Sequence, residues 1–281
     1  AMQEIAAETS GAGSPALWTL ADEDTTIYLF GTVHILRPDV DWRTDEIDAA
    51  FKSADKVVFE VDTTSPEGQR AMMSDFLQKG YYAGGQTLSN VLNAEDEAVI
   101  SAAVESIGMP MAAIDPMEPW MAAVNLSVLK MQQDGFDPAS GVEMTLLEEA
   151  NASGKTLGYL EGAADQAAVF DELPEPFQIQ FLYETAVALD MSAEMLDGVV
   201  DEWADGDVAG LGAMVASPDV NGGEELYGPL FKERNANWAP QIEAMLDEPG
   251  TVFVAVGSGH LAGPDSVITM IRNDGYEVTG P

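Results

Sequence analysis

The sequence predicts an α/β fold: a central β-sheet built from strand–GxxH–helix units at the N- and C-terminal ends of the chain, with a large helical insertion, about residues 87–250, between them. Three observations carry this expectation. The β-run from Ile27 to Phe30 ends at Gly31, and His34 follows three residues later. A second β-run, Val252 to Val256, ends at Gly257, and His260 follows three residues later. Most of the chain between them repeats apolar residues at helical spacing, and strands alternating with helices at the two ends imply an α/β sheet.

These are the only two histidines in 281 residues. Glycine fills 26 of 281 positions, so one histidine has a glycine three residues before it roughly 9% of the time, and both do so on the order of 1% of the time. One such histidine alone reads as a strand-end residue satisfied by backbone hydrogen bonds. The matched pair reads as a shared functional site.

The elements follow in order. "LWTLAD" and "TTIYLFG" read as two strands joined by a "DED" turn, and a helix is expected from Thr44 to Ser53, with Ile47, Ala50 and Phe51 on its apolar side. "KVVFEVD" (56–62) is a continuous apolar run of the buried-strand kind and places Glu60 near its carboxyl end. Ser65-Pro66 opens the next helix, with proline at its first position, and Lys79-Gly80 stops it. Helices are then expected over 96–107, 120–133, 142–151, 176–189, 193–203 and, as one long element, 224–246. A strand at "KTLGYLE" (155–161) interrupts them and ends at Glu161; strand 251–256, the His260 loop, helix 265–275 and a terminal "YEV" close the chain. Residues 17–281 are expected to form a single domain, preceded by a flexible leader over 1–16.

In open α/β sheets, sites gather beyond the carboxyl ends of the strands. Four such ends carry His34, Glu60, Glu161 and His260. The expected role of the glycines is conformational, letting the chain turn sharply off each strand.

Charge and composition exclude several function classes. With 49 acidic residues against 11 basic ones, the formal net charge is -38 and the isoelectric point near 4.1, a field that repels nucleic-acid backbones and anionic lipid. The mean hydropathy of -0.02 is that of an ordinary globular chain. Zero cysteines remove disulfides, thiol nucleophiles and cysteine-held metals. No apolar run reaches the roughly 18 to 20 residues that span a bilayer. The opening residues have neither a basic nor an apolar signal region, and read either as what remains after an export signal is removed, in periplasm or cell envelope, or as a cytoplasmic start.

Two histidines and two glutamates are the ligands of a catalytic divalent metal that activates water, with a second carboxylate as general base. The same residues serve equally in a metal-free site with histidine as the base. Residue types alone do not separate these. A non-catalytic cleft that holds a peptide or small anion through Arg234 is a third reading. Arg234, scarce as a basic residue and next to Asn235, is either a surface ion pair or a guanidinium that binds an oxyanion or orients Glu60. Ser258 lacks a nucleophile-elbow context.

"YLFGTVHIL", "VVFEVD", "GVEMTLLEEANASGKTLGYLEGAADQ", "ERNANWAPQI" and "FVAVGSGHLAGPDSVITMIRNDGYEV" together resemble the TraB/GumN/PrgY family, whose wider group includes the animal Tiki proteins. The resemblance spans roughly residues 17 to 279. It implies an erythromycin-esterase/ChaN-like α/β architecture and a metal-dependent hydrolase, foremost a peptidase acting on a peptide or small-molecule substrate in the cell envelope. The implied metal ligands are His34, His260 and Glu60, holding Mn or Co, with Zn as an alternative. The family's Arg-Asn pair falls on Arg234 and Asn235 and its Leu-Glu on Glu161. Its "GVD" helix start appears here as Gly141-Val142-Glu143.

Overall fold

The structure, a computed structural model, describes residues 11–217 and 223–281. The first ten residues of the expected leader lie outside the described residues. Beyond them, the amides of Gly11 and Gly13 donate to Asp205. The described residues form two compact units: one of residues 11–61, 137–160, 197–217 and 223–281, and one of residues 62–136 and 161–196.

The first unit contains a mixed six-stranded sheet in the order β4-β3-β5-β2-β1-β6. Its strands are β1 (Leu17–Ala21), β2 (Thr25–Thr32), β3 (Lys56–Phe59), β4 (Thr156–Tyr159), β5 (Gly250–Gly257) and β6 (Val278–Thr279). β2, β3, β4 and β5 run parallel, whereas β1 pairs antiparallel with β2 and β6. The apolar β-runs become the central strands because both of their faces are covered, as parallel sheets require. Ile27, Leu29, Val58, Val252, Val254 and Val256 face a core shared with Trp238, Ile242, Val267 and Ile271. On the opposite side Phe30 and Phe253 meet Phe51, Trp42 and Trp203 in an aromatic layer.

Local signals set the helix ends. The side chains of Thr44 and Ser65 cap helices Asp45–Ser53 and Pro66–Lys79, and Gly80 closes the second. The expected single helix over 224–246 is instead divided. Helix Glu224–Tyr227 passes into a π-helical segment, Gly228–Lys232, and then into helix Glu233–Glu243 and a 3-10 turn, Ala244–Asp247. Pro229 has no amide hydrogen to continue a regular ladder, and π segments of this kind recur at functional sites.

The second unit is helical. Helices Ala94–Ser106, Pro119–Gln133 and Glu175–Ala188 enclose Leu88, Ile100, Val104, Leu126 and Leu182, all fully buried. Trp120 stacks on Phe170 within the same unit. Helix Ala163–Asp171 is an element the sequence pattern did not single out.

Phe253 is fully buried at the centre of β5, between Phe30 and Phe51. Phe253→Ala is expected to lower unfolding free energy by about 3–5 kcal/mol, the range for a buried aromatic truncation. A loss below about 1 kcal/mol in urea titration would show that the aromatic layer is loosely packed.

Candidate functional site

The parallel register brings the expected residues to one sheet edge. Thr32 at the end of β2 pairs with Gly257 at the end of β5, and Phe59, which precedes Glu60, pairs with Ala255. The chain leaves β2 toward β3 and leaves β5 toward β6, on opposite sides, which opens the sheet at this edge.

Gly31 and Gly257 have ordinary negative φ values, so the conformational role expected of them is corrected. Both instead lie where neighbouring groups come close. A Cβ on Gly257 would lie 3.1 Å from Glu60 Oε1, 3.5 Å from His260 Cδ2 and 3.6 Å from His34 Nε2. A Cβ on Gly31 would press at 3.0 Å on Ser258. The three site residues therefore lie around the backbone of Gly257, where an added methyl would press on the Glu60 carboxylate.

Glu60 is buried, and both carboxylate oxygens are engaged. Oε1 accepts the Gly257 amide at 2.7 Å, and Oε2 accepts from Arg234 at 2.7 Å. Arg234 also donates to the Leu230 carbonyl at 3.1 Å, lies 3.0 Å from His260 Nε2, and stacks over Trp238 at 4.6 Å. The π-helical segment presents that carbonyl, and the four-residue spacing of Arg234 and Trp238 puts them on one helix face.

His260 is sealed between Trp238 and Phe231, with ring centroids 4.4 and 5.1 Å away. Its Nδ1 is 2.6 Å from the side-chain oxygen of Asn235, whose amide nitrogen donates to the Asp265 carbonyl at 2.7 Å. That second bond fixes the orientation of the Asn235 amide. His260 must then donate from Nδ1, leaving the Nε2 lone pair to accept from Arg234.

His34 is different in kind. Its side chain is 67% exposed. Nδ1 lies 2.7 Å from Glu143 Oε1, which also accepts from the Thr32 hydroxyl. Helix Val142–Ala152 carries Glu143 and is pinned to the His34 loop by the Val142 amide on the Val33 carbonyl. A Cβ on Gly141 would lie 2.3 Å from the His34 carbonyl oxygen, so this glycine too is a close-approach residue.

Electrostatics separates the two histidines. Burial is the main cause that lowers His260, to about 3, with Arg234 adding to it and Glu60 opposing. The charge on Glu143 is the main cause that raises His34, to about 9, although water around its exposed ring screens that pull. Burial works to raise Glu60, but charge on His260, Arg234 and His34 and the Gly257 amide outweigh it and hold the carboxyl down at about 2. With His260 kept neutral, Arg234, His34 and the amide carry that effect.

The structure thus brings together His34, Glu60, Arg234, Asn235 and His260. Glu161 is half-buried and opens a segment of the helical unit. Thr32, Leu230, Phe231, Trp238 and Asp265 are additional members. Only the Arg234–Trp238 spacing was visible as a signal for any of them.

The donors implied for a metal, His34, His260 and Glu60, do not fit that task in this arrangement. Both nitrogens of His260 and both oxygens of Glu60 have partners, and a guanidinium occupies the space where they converge. Among the described residues no three His, Asp or Glu side chains are grouped to hold an ion. Glu143 Oε2 is buried without a hydrogen-bond partner, but it is a single donor.

The profile of the TraB/PrgY/gumN family matches residues 16–280. The chain belongs to this family. It is 24% identical over 262 residues to the uncharacterized protein YbaP of Escherichia coli K12, covering 92% of each chain. It is 25% identical over 249 residues to YbaP of Shigella flexneri, covering 87% of each. An uncharacterized protein of Treponema pallidum is 24% identical over 272 residues, covering 91% of this chain and 79% of that one. No solved structure matches the chain. Among the described residues, no helix is long and apolar enough to cross a membrane.

The pKa shifts set the sign of the pH dependence. His260 and Glu60 are both lowered from 6.5 and 4.5, so their stabilisation is present above those values and lost as pH falls below them toward about 3 and about 2. His34, raised from 6.5, loses its contribution as pH rises toward about 9. Wild type should lose stability relative to His260→Gln between pH 6.5 and 4.5, a comparison that cancels the relief of general charge repulsion. Parallel stability profiles would contradict it. Arg234→Ala, which strands a buried carboxylate, should cost about 3–5 kcal/mol.

Proposed function

We propose that this protein is a hydrolase of carbonyl substrates, ester or amide and foremost peptide, in which His34 is the general base. The observation that carries this reading is the asymmetry of the two histidines. His260 is buried with both nitrogens occupied, whereas His34 is exposed, tied through Nδ1 to Glu143, and directs Nε2 over Gly257.

A histidine held by a carboxylate through one nitrogen and free to accept a proton at the other is the arrangement of a general base with its orienting group. In the proposed reaction His34 Nε2 takes a proton from water as its oxygen attacks the substrate carbonyl. The proton then passes to the leaving amine or alkoxide. Glu143 keeps the tautomer with hydrogen on Nδ1 and offsets the charge of the imidazolium. No step runs through a metal, since the donors that would hold one are already engaged.

Because Glu143 raises the pKa of His34, the base form increases on the alkaline side of 6.5. Hydrolysis of a peptide and ester panel should therefore rise with pH up to about 9. His34→Gln should lower kcat/KM by about 10²–10⁴, the usual contribution of general-base catalysis. An unchanged rate in that variant would remove His34 from the chemistry. Ligand binding with no turnover by wild type at any pH would instead assign the cleft to binding alone.

A further inference from the structure

We infer that the guanidinium of Arg234 is the resident cation of this site, occupying the place among Glu60 and His260 where a divalent metal would otherwise bind. This goes beyond the hydrolase reading and stands whether or not the site turns over substrate. It rests on what the two buried side chains already do.

A divalent ion held by Glu60 and His260 would need a carboxylate oxygen and an unprotonated imidazole nitrogen turned toward it, with no other cation between them. Here Glu60 Oε2 and His260 Nε2 both face Arg234, at 2.7 and 3.0 Å. The other carboxylate oxygen is committed to the Gly257 amide, and the other imidazole nitrogen to Asn235. Arg234 itself is only 12% exposed and is held on three further sides, by the Leu230 carbonyl, the Trp238 ring and the helix that carries it. The planar guanidinium reaches both acceptors at once, which a flexible ammonium does not do. An incoming ion would meet a fixed positive charge, and admitting it requires that Arg234 swing out of a buried position in which it is bonded to Glu60, His260 and the Leu230 carbonyl. The same three residues therefore form a closed, charge-compensated unit. Their job is to hold the floor beneath His34 rigid and electrostatically defined.

The test is metal binding, read by calorimetry and thermal denaturation with Mn, Co and Zn in a high-salt buffer that suppresses weak association with the acidic surface. Four proteins are compared: wild type, His34→Ala, His260→Ala and Arg234→Met. Wild type is expected to show no binding that the histidine variants lack and no rise in Tm with metal. Arg234→Met, which opens both acceptors, is expected to gain about one equivalent of bound metal and a rise in Tm. One equivalent bound by wild type and lost in His34→Ala or His260→Ala would overturn the inference. So would a folded Arg234→Met that gains nothing, because the guanidinium would then not be what keeps metal out. If Arg234→Met fails to fold, the wild-type comparison with the two histidine variants decides alone. None of these readouts depends on hydrolysis, so failure of the His34 proposal and failure of this one are separately visible.

Discussion

A carboxylate buried at the end of a parallel strand has to be compensated, because the interior solvates charge far less well than water does. In this protein Glu60 is that carboxylate, and the groups that compensate it organise the edge of the sheet. Its two oxygens bind the backbone of β5 and the side chain of Arg234. Arg234 reaches His260, His260 reaches Asn235, and Asn235 reaches the backbone at Asp265. Each link settles the state of the next: the anchored amide fixes the tautomer, the tautomer fixes which nitrogen accepts, and the acceptor fixes the guanidinium. The chain of bonds leaves little freedom for any single member to change alone.

The fold supplies the approach distances that this network needs. Parallel pairing of β2, β5 and β3 sets Thr32, Gly257 and Phe59 near one edge, and the glycines let side chains lie against backbone there. The two sequence-similar GxxH units end up with opposite environments. The second lies beneath Trp238 and Phe231, on a helix and a π segment that seal His260. The first is held at Nδ1 by Glu143, lies with Nε2 beside Gly257, and keeps most of its side chain exposed. Similar local sequence has become one structural histidine and one accessible histidine.

Much of this was legible in the chain itself. The continuous apolar runs became β2, β3 and β5, and the Ser65-Pro66 start and Gly80 stop match the helix they bracket. Clustering at carboxyl ends of parallel strands follows from general α/β geometry, and it did bring His34, Glu60 and His260 around Gly257. The physical role of the glycines was less legible, because close approach and unusual φ leave the same residue in the sequence. Helix periodicity also ran through Pro229 and hid the π segment that presents Leu230 and Phe231. Glu143 stood out only through the Gly141-Val142-Glu143 helix start. Its pairing with His34 depends on a contact between segments more than a hundred residues apart, which no local pattern records.

A fixed chain of hydrogen bonds keeps His260 neutral, with its proton on Nδ1, and leaves Nε2 to Arg234. Long-range ¹H–¹⁵N correlation spectra of the imidazoles at neutral pH report protonation and tautomer of each ring directly. With only two histidines in the sequence, one variant at either position completes the assignment. The His260 ring is expected to be neutral, with a protonated Nδ1 and an unprotonated Nε2. A protonated Nε2, or an imidazolium at that position, would contradict it and would mean that Arg234 and His260 do not share the bond on which the rest of the site is built.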